Sequence, residues 1–460
     1  MKRVPLLILG AGPTGLGAAM AAESAGADWR LLEAGAEAGG LAASFRDARG
    51  FTWDLGGHVQ FSHYEGFDAL MDRALGADGW LEHARESWIR LGQRWIPYPF
   101  QHHLHRLSAE DCGRCLAGLR AAAGGEAAHF GDWMDRQFGE GIVSLFLRPY
   151  NEKVWACDPS EMDAGWVGER VARPDVAAIE AAVARGEDPP RWGPNARFRF
   201  PRRGGTGAIW RAVAAMLPQE RLHFGDAVSR VDVRARQVFC RSGRVVAYEH
   251  LISSLPLDLL IAMAPGVVPA AQAAAFRYTR THVVGLGFRG QPSPELRKKS
   301  WMYFPGANSP YYRVTVFSNY SPENVPRPGE QWSLMSETAE GDGGSLNGEA
   351  LVGRTLAALR EDGLLRGDET VLTAVHRRLP RGYPVPFLGR DAHLLPVLEA
   401  FQVENVYSRG RFGAWKYEVS NQDHSYAQGK ECVERILCGG DEGCEPTLHR
   451  PAWVNQRRNP

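Results

Sequence analysis

The amino-terminal segment carries the pattern that most constrains the fold. An apolar run, Val4–Leu9, leads directly into Gly10-Ala-Gly-Pro-Thr-Gly15, and an alanine-rich stretch with helical spacing follows. A second apolar segment then ends at Glu33. This order predicts a βαβ unit, in which the glycines let the backbone approach a pyrophosphate at the start of a helix and Glu33 accepts hydrogen bonds from ribose hydroxyls.

Two further glycine pairs favour FAD over NAD as the dinucleotide. The first lies in Glu37-Ala-Gly-Gly-Leu41 and the second in Asp54-Leu-Gly-Gly57. Repeated close approaches of the backbone suit a long, deeply enclosed cofactor. The cofactor contacts predicted for this region are Gly10, Gly12, Pro13, Thr14, Gly15, Glu33, Gly40, Leu41, Gly56 and Gly57.

Length and charge narrow the class of protein. A chain of 460 residues is too long for one hydrophobic core, so two or three domains are expected. Lysine plus arginine equals aspartate plus glutamate, 53 of each, which gives no reason to expect a nucleic acid or an anionic membrane as partner.

The seven cysteines are irregularly spaced and form no disulfide framework. No long apolar window is present, so we expect no membrane insertion and a cytoplasmic location.

The order of predicted elements indicates an α/β fold with two insertions. Helical spacing dominates one stretch, short alternating segments dominate others, and the cofactor domain resumes near the C-terminus. Two stretches are predicted to lack regular structure, a loop at 322–350 and a poorly packed polar tail at 439–460. The predicted organisation is a discontinuous FAD-binding, Rossmann-like, doubly wound domain at 1–75, 200–265 and 395–438, a helical substrate domain at 100–195, and an antiparallel-sheet substrate domain at 76–99 and 270–394.

Two arginines are candidates for binding an anion. Arg313 lies in a predicted strand, 311–320, whose alternation places Tyr311 and Thr315 on the same face. Arg170 lies in a segment where it is equally consistent with a solvated charge on a helix. If the two arginines converge, they can neutralise a diphosphate through bidentate contacts.

Histidines near the glycine pairs raise the question of a metal site. His58 and His63 follow the third glycine pair, and a second group occupies His102-His-Leu-His105. A zinc site needs a further cysteine or carboxylate donor and a supporting shell, and neither stands at suitable spacing. We therefore predict no bound metal.

A helix start near the C-terminus is a second candidate contact for the cofactor. Arg411 and several aromatic residues precede a segment whose first turn contains Asn421, Gln422 and Ser425. The free N–H groups and the positive end of such a helix suit the electron-rich edge of a reduced flavin. An ordinary capped helix explains the polar residues, but not the arginines and aromatic residues beside them.

The chain also carries long polar and aromatic motifs from about residue 5 to about residue 437. They are GAGPTGLGAA, GGHVQFSHY, WIPYPFQ, RPYNEKVWA, WVGERVA, WGPNARFRFP, GGTGAIW, THVVGLGFRG, YYRVTVFSNY, HRRLPRGYPVP and SRGRFGAWKYEVSNQDHS. These strings resemble the UDP-galactopyranose mutases, particularly the eukaryotic-type branch. They are far more specific than the glycine pattern alone.

The resemblance implies an isomerase that uses a flavin without net redox. In that family the N5 atom of reduced FAD attacks the anomeric carbon of UDP-galactopyranose and UDP leaves; the sugar then opens, recloses as a furanose, and takes UDP back. The resemblance also implies NADPH as the reductant of the flavin and UDP-galactose as the partner molecule. It leaves the oligomeric state open.

The resemblance also assigns roles to individual residues. It makes Arg170 and Arg313 the diphosphate-binding arginines, and it places Asn195 near the sugar and Arg411 between flavin and substrate. His58 matches a histidine whose loop responds to flavin reduction, and Arg90 matches a residue involved in reduction by NADPH. The remaining implied contacts are His63, Tyr98, Phe100, Gln101, Asn151, Trp155, Tyr303, Tyr320, Tyr383, Tyr417 and Asn421 for the substrate, and Val228 for the cofactor.

Departures from the family pattern leave alternatives open. Glu152 stands where the family has Phe, His102 and His103 replace amides, and Phe387 lies in a segment that is usually more polar. One alternative is the same chemistry on another nucleotide sugar, such as UDP-arabinose, UDP-GalNAc or a sugar of specialised metabolism. Others are a flavin oxidoreductase of the amine-oxidase or protoporphyrinogen-oxidase kind and an inactive nucleotide-sugar-binding module.

Overall fold

The computed structural model describes residues 2–168, 170–188, 193 and 196–456. Its strands are β1 Val4–Leu9, β2 Trp29–Leu32, β3 Ser44–Arg46, β4 Thr52–Asp54, β5 Trp80–Ala84, β6 Ser87–Leu91, β7 Arg94–Pro97, β8 Arg197–Pro201, β9 Leu222–His223, β10 Val228–Asp232, β11 Gln237–Cys240, β12 Val245–Ser253, β13 Tyr278–Arg289, β14 Trp301–Tyr303, β15 Arg313–Thr315, β16 Gln331–Glu340, β17 Val371–Pro384 and β18 Val406–Ser408. Its α-helices are α1 Pro13–Ser24, α2 Glu65–Leu75, α3 Ala109–Ala121, α4 Phe130–Ile142, α5 Arg148–Trp155, α6 Val176–Arg185, α7 Gly207–Ala215, α8 Leu257–Met263, α9 Phe317–Tyr320, α10 Gly348–Glu361, α11 Arg390–Val403, α12 Gln422–Cys438, α13 Pro446–His449 and α14 Pro451–Asn455.

The first sheet is built around β1. This strand pairs in parallel with β12 and β2, while β9 and β18 continue the parallel part and β10 and β11 extend it in antiparallel fashion. β1 is apolar throughout because Leu7 and Leu9 pack into one core cluster and Leu6 and Ile8 into another. The structure confirms the predicted α/β, doubly wound fold.

Helix α1 packs closely against α12, which brings the N-terminal and C-terminal parts of the chain together. A Cβ atom on Gly17 would lie 2.3 Å from the Tyr426 carbonyl oxygen, and one on Gly429 would lie 1.9 Å from that of Thr14. Only glycine fits at these two positions, and the helix start at Asn421 is thereby fixed relative to the first glycine loop.

The second sheet has the strand order β17-β13-β16-β15-β14-β6-β7. All its pairings are antiparallel except that of β14 with β6. Strands from 87–97 therefore join strands from 278–384, as the predicted sheet-rich insertion requires. The exact bounds of the domains remain predictions.

The predicted loop at 322–350 is wrong, because it contains the ten-residue strand β16. Nine of its ten residues are buried, since β13 and β15 flank it in the sheet. Ser333, Ser336, Glu337, Thr338 and Glu340 are among the buried residues. The polar composition concealed the strand because these polar groups lie inside the protein.

The predicted tail is also wrong in being poorly packed. Glu445 and Thr447 are 1% and 0% exposed, and Leu448 and Val454 belong to the buried core. The Glu445 carboxylate accepts hydrogen bonds from Arg409 Nε at 2.5 Å and Arg409 Nη2 at 2.8 Å. The polar residues Glu445, Thr447 and Asn455 of this segment are buried in hydrogen-bonded networks, whereas Asp441, Arg450 and Gln456 are exposed.

Helices α3 to α6 form the helical part of the chain. A five-residue π-helical segment, Val143–Leu147, runs directly into α5, and Pro149 is the second residue of that helix. Asn151 and Trp155 therefore share one helix, as the sequence predicts. Within the described part of the chain, no helix combines the length and apolarity needed to cross a membrane.

Candidate functional site

The first two glycine loops meet at the start of α1. Gly40 has a φ of +54°, and a Cβ atom on it would lie 3.2 Å from the Gly12 Cα. A Cβ atom on Gly15 would lie 1.8 Å from the Gly10 carbonyl oxygen. Helix α1 begins at Pro13 without a side-chain cap, so its first N–H groups can bind an anion.

Glu33 is held beside this loop at the end of β2. Its carboxylate accepts a hydrogen bond from the Ala11 N–H at 2.6 Å and another from the Gly35 N–H at 2.6 Å. Leu41 and Val228 are half-buried and pack against the same core, with Val228 at the start of β10. The pyrophosphate of a dinucleotide such as FAD fits the uncapped start of α1, where the glycines leave room for it, and the ribose fits the adjacent Glu33 carboxylate.

Glu337 on β16 connects the third glycine pair to Arg313. Its carboxylate accepts from the Gly57 N–H at 2.9 Å, from Arg313 Nε at 2.8 Å and Nη2 at 2.7 Å, and from the Tyr312 hydroxyl at 3.0 Å. Burial acts to raise the pKa of Glu337, but the charge and hydrogen bonds of Arg313 and the Gly57 N–H lower it overall. Glu337 was not predicted as a site residue, because its strand was taken for a loop.

The face of β15 that carries Arg313 points at Gly57. A Cβ atom on Gly57 would lie 3.0 Å from Thr315 Oγ1 and 3.5 Å from Arg313 Cζ. The prediction that Tyr311 shares this face is wrong, because its hydroxyl donates to Asp362 Oδ2 at 2.6 Å. Alternation holds only within a strand, and β15 runs only from Arg313 to Thr315 before α9 begins.

His58 is neutral in this setting. Burial, together with the positive charges of Arg411 and Arg313, lowers its pKa to about 4, although Glu337 acts in the opposite direction. Its Nδ1 atom is buried and has no hydrogen-bond partner within the described structure. A buried polar atom of this kind is available to a bound group.

Three guanidinium groups gather around Tyr417. The Cζ atoms of Arg170 and Arg411 lie 5.5 Å and 5.9 Å from its ring, and that of Arg411 lies 4.8 Å from the ring of Tyr383. Burial and Tyr383 raise the pKa of Tyr417, while the charges of Arg170, Arg411 and Arg313 act to lower it. The structure thus brings Arg170 and Arg313 into one site.

Arg170 and Arg411 are positioned by backbone carbonyl groups. Arg170 Nη2 donates to the Glu418 carbonyl at 2.7 Å, whereas its Nη1 is buried without a partner in the described structure. Arg411 donates from Nε and Nη2 to the Gly382 carbonyl at 3.2 Å and 3.0 Å and from Nη1 to Ser420 Oγ at 3.1 Å. Arg170 therefore presents an unsatisfied charged donor that suits an anionic ligand.

Aromatic side chains surround these arginines. The Trp155 ring lies 4.8 Å from that of Tyr417, and Tyr303 lies 5.5 Å from Tyr98. Trp155 Nε1 is buried without a partner within the described residues. Three members were not predicted: Tyr150, with its ring 5.1 Å from Tyr303; Trp166, 5.1 Å from Trp155; and Arg85, whose Cζ lies 5.2 Å from the Tyr98 ring.

Signals for these three residues were present in the motifs. Tyr150 directly precedes Asn151, and Trp166 opens the motif that contains Arg170. Large aromatic residues are usually well buried, so neither could be assigned to a site from its spacing. Arg85 lies outside all the quoted motifs.

Several predicted substrate contacts lie next to this cluster and make hydrogen bonds or ring contacts with residues other than Arg170, Arg313 and Arg411. Tyr98 donates its hydroxyl to the Arg170 carbonyl at 3.2 Å, and Gln101 Nε2 donates to the Ala172 carbonyl at 2.5 Å. Asn151 Nδ2 donates to the Leu147 carbonyl at 2.8 Å. Tyr320 packs 5.1 Å from Phe200, and Phe100 stacks 5.2 Å from Phe146.

Arg90 is not brought to the cluster. Its guanidinium donates to the Gln93 carbonyl at 2.9 Å and to Gln93 Oε1 at 2.6 Å, and it lies 4.9 Å from the ring of Trp95. Asn195 lies outside the described residues.

His63 lies against the start of α12. Its N–H and Nδ1 are 3.0 Å and 2.7 Å from Asp423 Oδ2, and its ring stacks 4.5 Å from that of His424. Ligand atoms of these three residues lie within 4.8 Å of one another, as in a metal site. However, His424 is already bonded to the Tyr64 hydroxyl at 2.8 Å and to Asn455 Oδ1 at 3.1 Å, so the group forms a hydrogen-bonded network.

The start of α12 has the polar residues that the sequence predicted. Asn421 precedes the helix and its side chain makes no cap hydrogen bond. Gln422 Oε1 accepts from Trp210 Nε1 at 2.6 Å, and the Ser425 N–H donates to the Asn421 carbonyl at 2.8 Å. The Asn421 side chain is thus available to a ligand at the positive end of the helix.

Comparison with known proteins identifies the class first and the family second. A family model of flavin-containing amine oxidoreductases matches residues 13–437, which makes the protein a flavoprotein of that class. A reduced UDP-galactopyranose mutase of known structure is 43% identical, with a TM-score of 0.94 over 99% of this chain and 98% of its own. The chain belongs to the UDP-galactopyranose mutase family, as its motifs predict.

More distant structures share the fold alone. A fatty acid isomerase from P. acnes is 15% identical, with a TM-score of 0.63 over 94% of this chain and 98% of its own. A putrescine oxidase variant is 14% identical, with a TM-score of 0.65 over 95% and 99%. Family membership implies FAD as the cofactor and makes this protein an enzyme of the mutase type.

Proposed function

We propose that the protein interconverts UDP-galactopyranose and UDP-galactofuranose with reduced FAD and without net redox. The convergence of Arg170, Arg313 and Arg411 around Tyr417 carries this proposal. Through Glu337, the same cluster is joined to Gly57 of the cofactor loop. A flavin site that only oxidises an amine has no need for several arginines facing one buried space.

The arginines bind the diphosphate in this proposal. A mutase must hold UDP tightly while the sugar is detached, because the same UDP has to return to the anomeric carbon. Arg170 offers its unsatisfied Nη1, and Arg313 uses two of its five donors on Glu337 and has others for a phosphate oxygen. Two fixed guanidinium groups also stabilise the negative charge that develops on the departing diphosphate.

In this proposal the loop that carries Gly57 and His58 would border the flavin. Reduced FAD, when bound, supplies a nucleophilic nitrogen for the anomeric carbon. His58 is neutral and its buried Nδ1 has no partner within the described structure, so this atom can accept a hydrogen bond from a sugar hydroxyl while the ring opens and closes. The low pKa makes His58 a weak base, so its role in this proposal is to accept a hydrogen bond rather than a proton.

The aromatic residues exclude water from the reacting centre. Trp155 and Trp166 are 1% and 6% exposed and stand against Tyr417. Exclusion of water from the site strengthens the electrostatic contacts between the arginines and a diphosphate, and it protects the detached sugar from hydrolysis. Oxidation of the flavin is not part of this function.

The test is a substrate panel with the reduced holoenzyme. Protein reduced with dithionite is incubated with UDP-galactopyranose, UDP-arabinopyranose and UDP-GalNAc, and the products are separated by chromatography. We expect furanose formation to be fastest with UDP-galactopyranose and absent in protein reconstituted with 5-deaza-FAD, which lacks the nucleophilic nitrogen. Faster conversion of another sugar would reassign the substrate, and activity with 5-deaza-FAD would reject the covalent mechanism.

We also propose NADPH as the reductant. The family resemblance supports it, although Arg90, the residue first assigned to this role, lies away from the cluster. Anaerobic addition of NADPH to the oxidised holoenzyme should bleach the flavin absorbance faster than NADH does. Equal rates with the two nucleotides would reject the preference.

A further inference from the structure

Lys153 has a complete set of hydrogen-bond partners in a place that the proposed chemistry does not use. It lies on α5 between Asn151 and Trp155, and its ammonium donates to the backbone carbonyls of Phe304 at 2.9 Å, Gly306 at 2.8 Å and Ser309 at 2.9 Å. Three donors meet three acceptors, so the ammonium is saturated. All three carbonyls belong to the connection between β14 and β15.

This connection has a site residue at each end. β14 ends at Tyr303, which packs against Tyr98 and Tyr150, and β15 begins at Arg313. The segment between them, 304–312, is shaped around two charges, the Lys153 ammonium and the Asp362 carboxylate. Asp362 accepts from Asn308 Nδ2 at 3.0 Å and from Ser309 Oγ at 2.7 Å.

We propose that Lys153 is a positioning residue for the nucleotide-sugar site, holding Tyr303 and Arg313 at a fixed distance from Trp155 on helix α5. The inference rests on the proposed function for the identity of the ligand. The three hydrogen bonds from the Lys153 ammonium to the 304–309 segment, called the clamp below, are observed independently of the ligand. Because the ammonium bridges the helical part of the chain and the second sheet, its loss lets the two sides of the site separate, and small displacements of aligned groups weaken binding strongly.

The charge of Lys153 gives the clamp a dependence on pH. Burial lowers the pKa of Lys153 to about 8, and the nearby Asp362 carboxylate opposes this shift. Asp362 also acts to raise the pKa of Arg90 on β6 and that of Tyr311 in the β14–β15 connection. As the pH rises through about 8, the ammonium loses a proton and the clamp weakens, so UDP affinity falls on the alkaline side.

The decisive variant is Lys153→Ala, studied as the full-length holoenzyme with UDP as the probe. Calorimetry should show an affinity for UDP about tenfold weaker than that of wild type. Propylammonium, which supplies the missing atoms and N–H donors, should restore it, whereas tetramethylammonium, which has no N–H, should not. Lys430→Ala is the matched control, because Lys430 is 53% exposed on α12 and pairs only with surface Glu434 in the described structure.

Hydrogen exchange separates the clamp from the identity of the ligand. Backbone amides in 304–312 should exchange faster in Lys153→Ala and unchanged in Lys430→Ala. Unaltered exchange and affinity in Lys153→Ala, or a loss that propylammonium does not restore, would overturn the proposal. If the wild type does not bind UDP but exchange is still faster in Lys153→Ala, the nucleotide-sugar function is rejected and the positioning role of Lys153 in the protein stands. If Lys153→Ala does not fold, wild-type UDP affinity that stays constant from pH 7 to pH 9.5 overturns it instead.

Discussion

Arg313 and Glu337 form the ion pair on which the candidate site depends. The Glu337 side chain is 2% exposed and that of Arg313 is 20% exposed, and two hydrogen bonds join them. A buried pair of this kind adds little net stability over apolar residues, but loss of one partner leaves the other charge uncompensated. The pair is therefore best explained by its position, since it fixes an arginine beside the cofactor loop.

Glu337→Gln should lower the free energy of unfolding by about 3 kcal/mol, because Arg313 would keep its charge in a buried place without a counter-ion. Urea denaturation of the holoenzyme measures this loss. Glu434→Gln, on the exposed face of α12, is the control and should change little. A Glu337→Gln protein as stable as wild type would show that Arg313 is solvated or paired in another way.

His58 predicts a pH dependence of stability. Its folded pKa is about 4, below its ordinary value of 6.5, so between these values the unfolded state binds more protons than the folded state. Stability should therefore fall as the pH is lowered from 6.5 towards 4. His58→Asn should make stability less dependent on pH in this range, with a slope that corresponds to up to about one proton fewer taken up on unfolding. Urea denaturation midpoints measured at a series of pH values give this slope.

The control for this experiment is the exposed His393→Asn. It should leave the slope of stability against pH as it is in wild type. If His58→Asn and His393→Asn give the same slope, His58 does not titrate with a lowered pKa in the folded protein.

At the scale of elements, the C-terminal segment stabilises the loop that carries Arg411. Glu445 binds both Arg409 and Arg435, and Arg409 is two residues before Arg411. Glu445→Ala should lower the free energy of unfolding by about 3–5 kcal/mol and reduce the flavin retained on purification, because Arg409 would be left buried and unpaired. Urea titration and flavin absorbance measure the two effects, with Glu434→Ala as control; full flavin content at unchanged stability would contradict the coupling.

The elements that the sequence predicted well are those whose signals lie close together in the sequence. β1, α1 and β2 were predictable because an apolar run, glycines that require close approach, and Glu33 stand in a fixed order. β16 was not, because period-two patterning fails when both faces of a strand are buried and polar residues such as Glu337 point inwards. The packed segment after residue 439 was missed for the same reason, since Glu445 is polar and buried.

The site shows the same division. The motifs indicated Arg170, Arg313, Arg411 and Tyr417, and the structure brings these residues together. Glu337 and Lys153 could not be assigned, because their partners are 280 and about 150 residues away in sequence, at Gly57 and in the 304–309 segment. Long-range pairings of this kind depend on the tertiary fold and leave no local pattern.

On the scale of the whole molecule, the site is assembled from four parts of the chain. The first sheet supplies the glycine loops, and the second supplies Arg313 and Glu337. The helical part supplies Trp155 and Arg170, and the segment after β18 supplies Arg411 and Tyr417. No single part of the chain is sufficient to form the site.

The most direct test of a mutase without net redox follows product and flavin together. Anaerobic, fully reduced holoenzyme is mixed with a large excess of UDP-galactofuranose, and the flavin absorbance is recorded while UDP-galactopyranose is measured by chromatography. The account predicts many product molecules per flavin while the spectrum stays that of reduced FAD. Absence of UDP-galactopyranose, or oxidation of one flavin for each product formed, would contradict it.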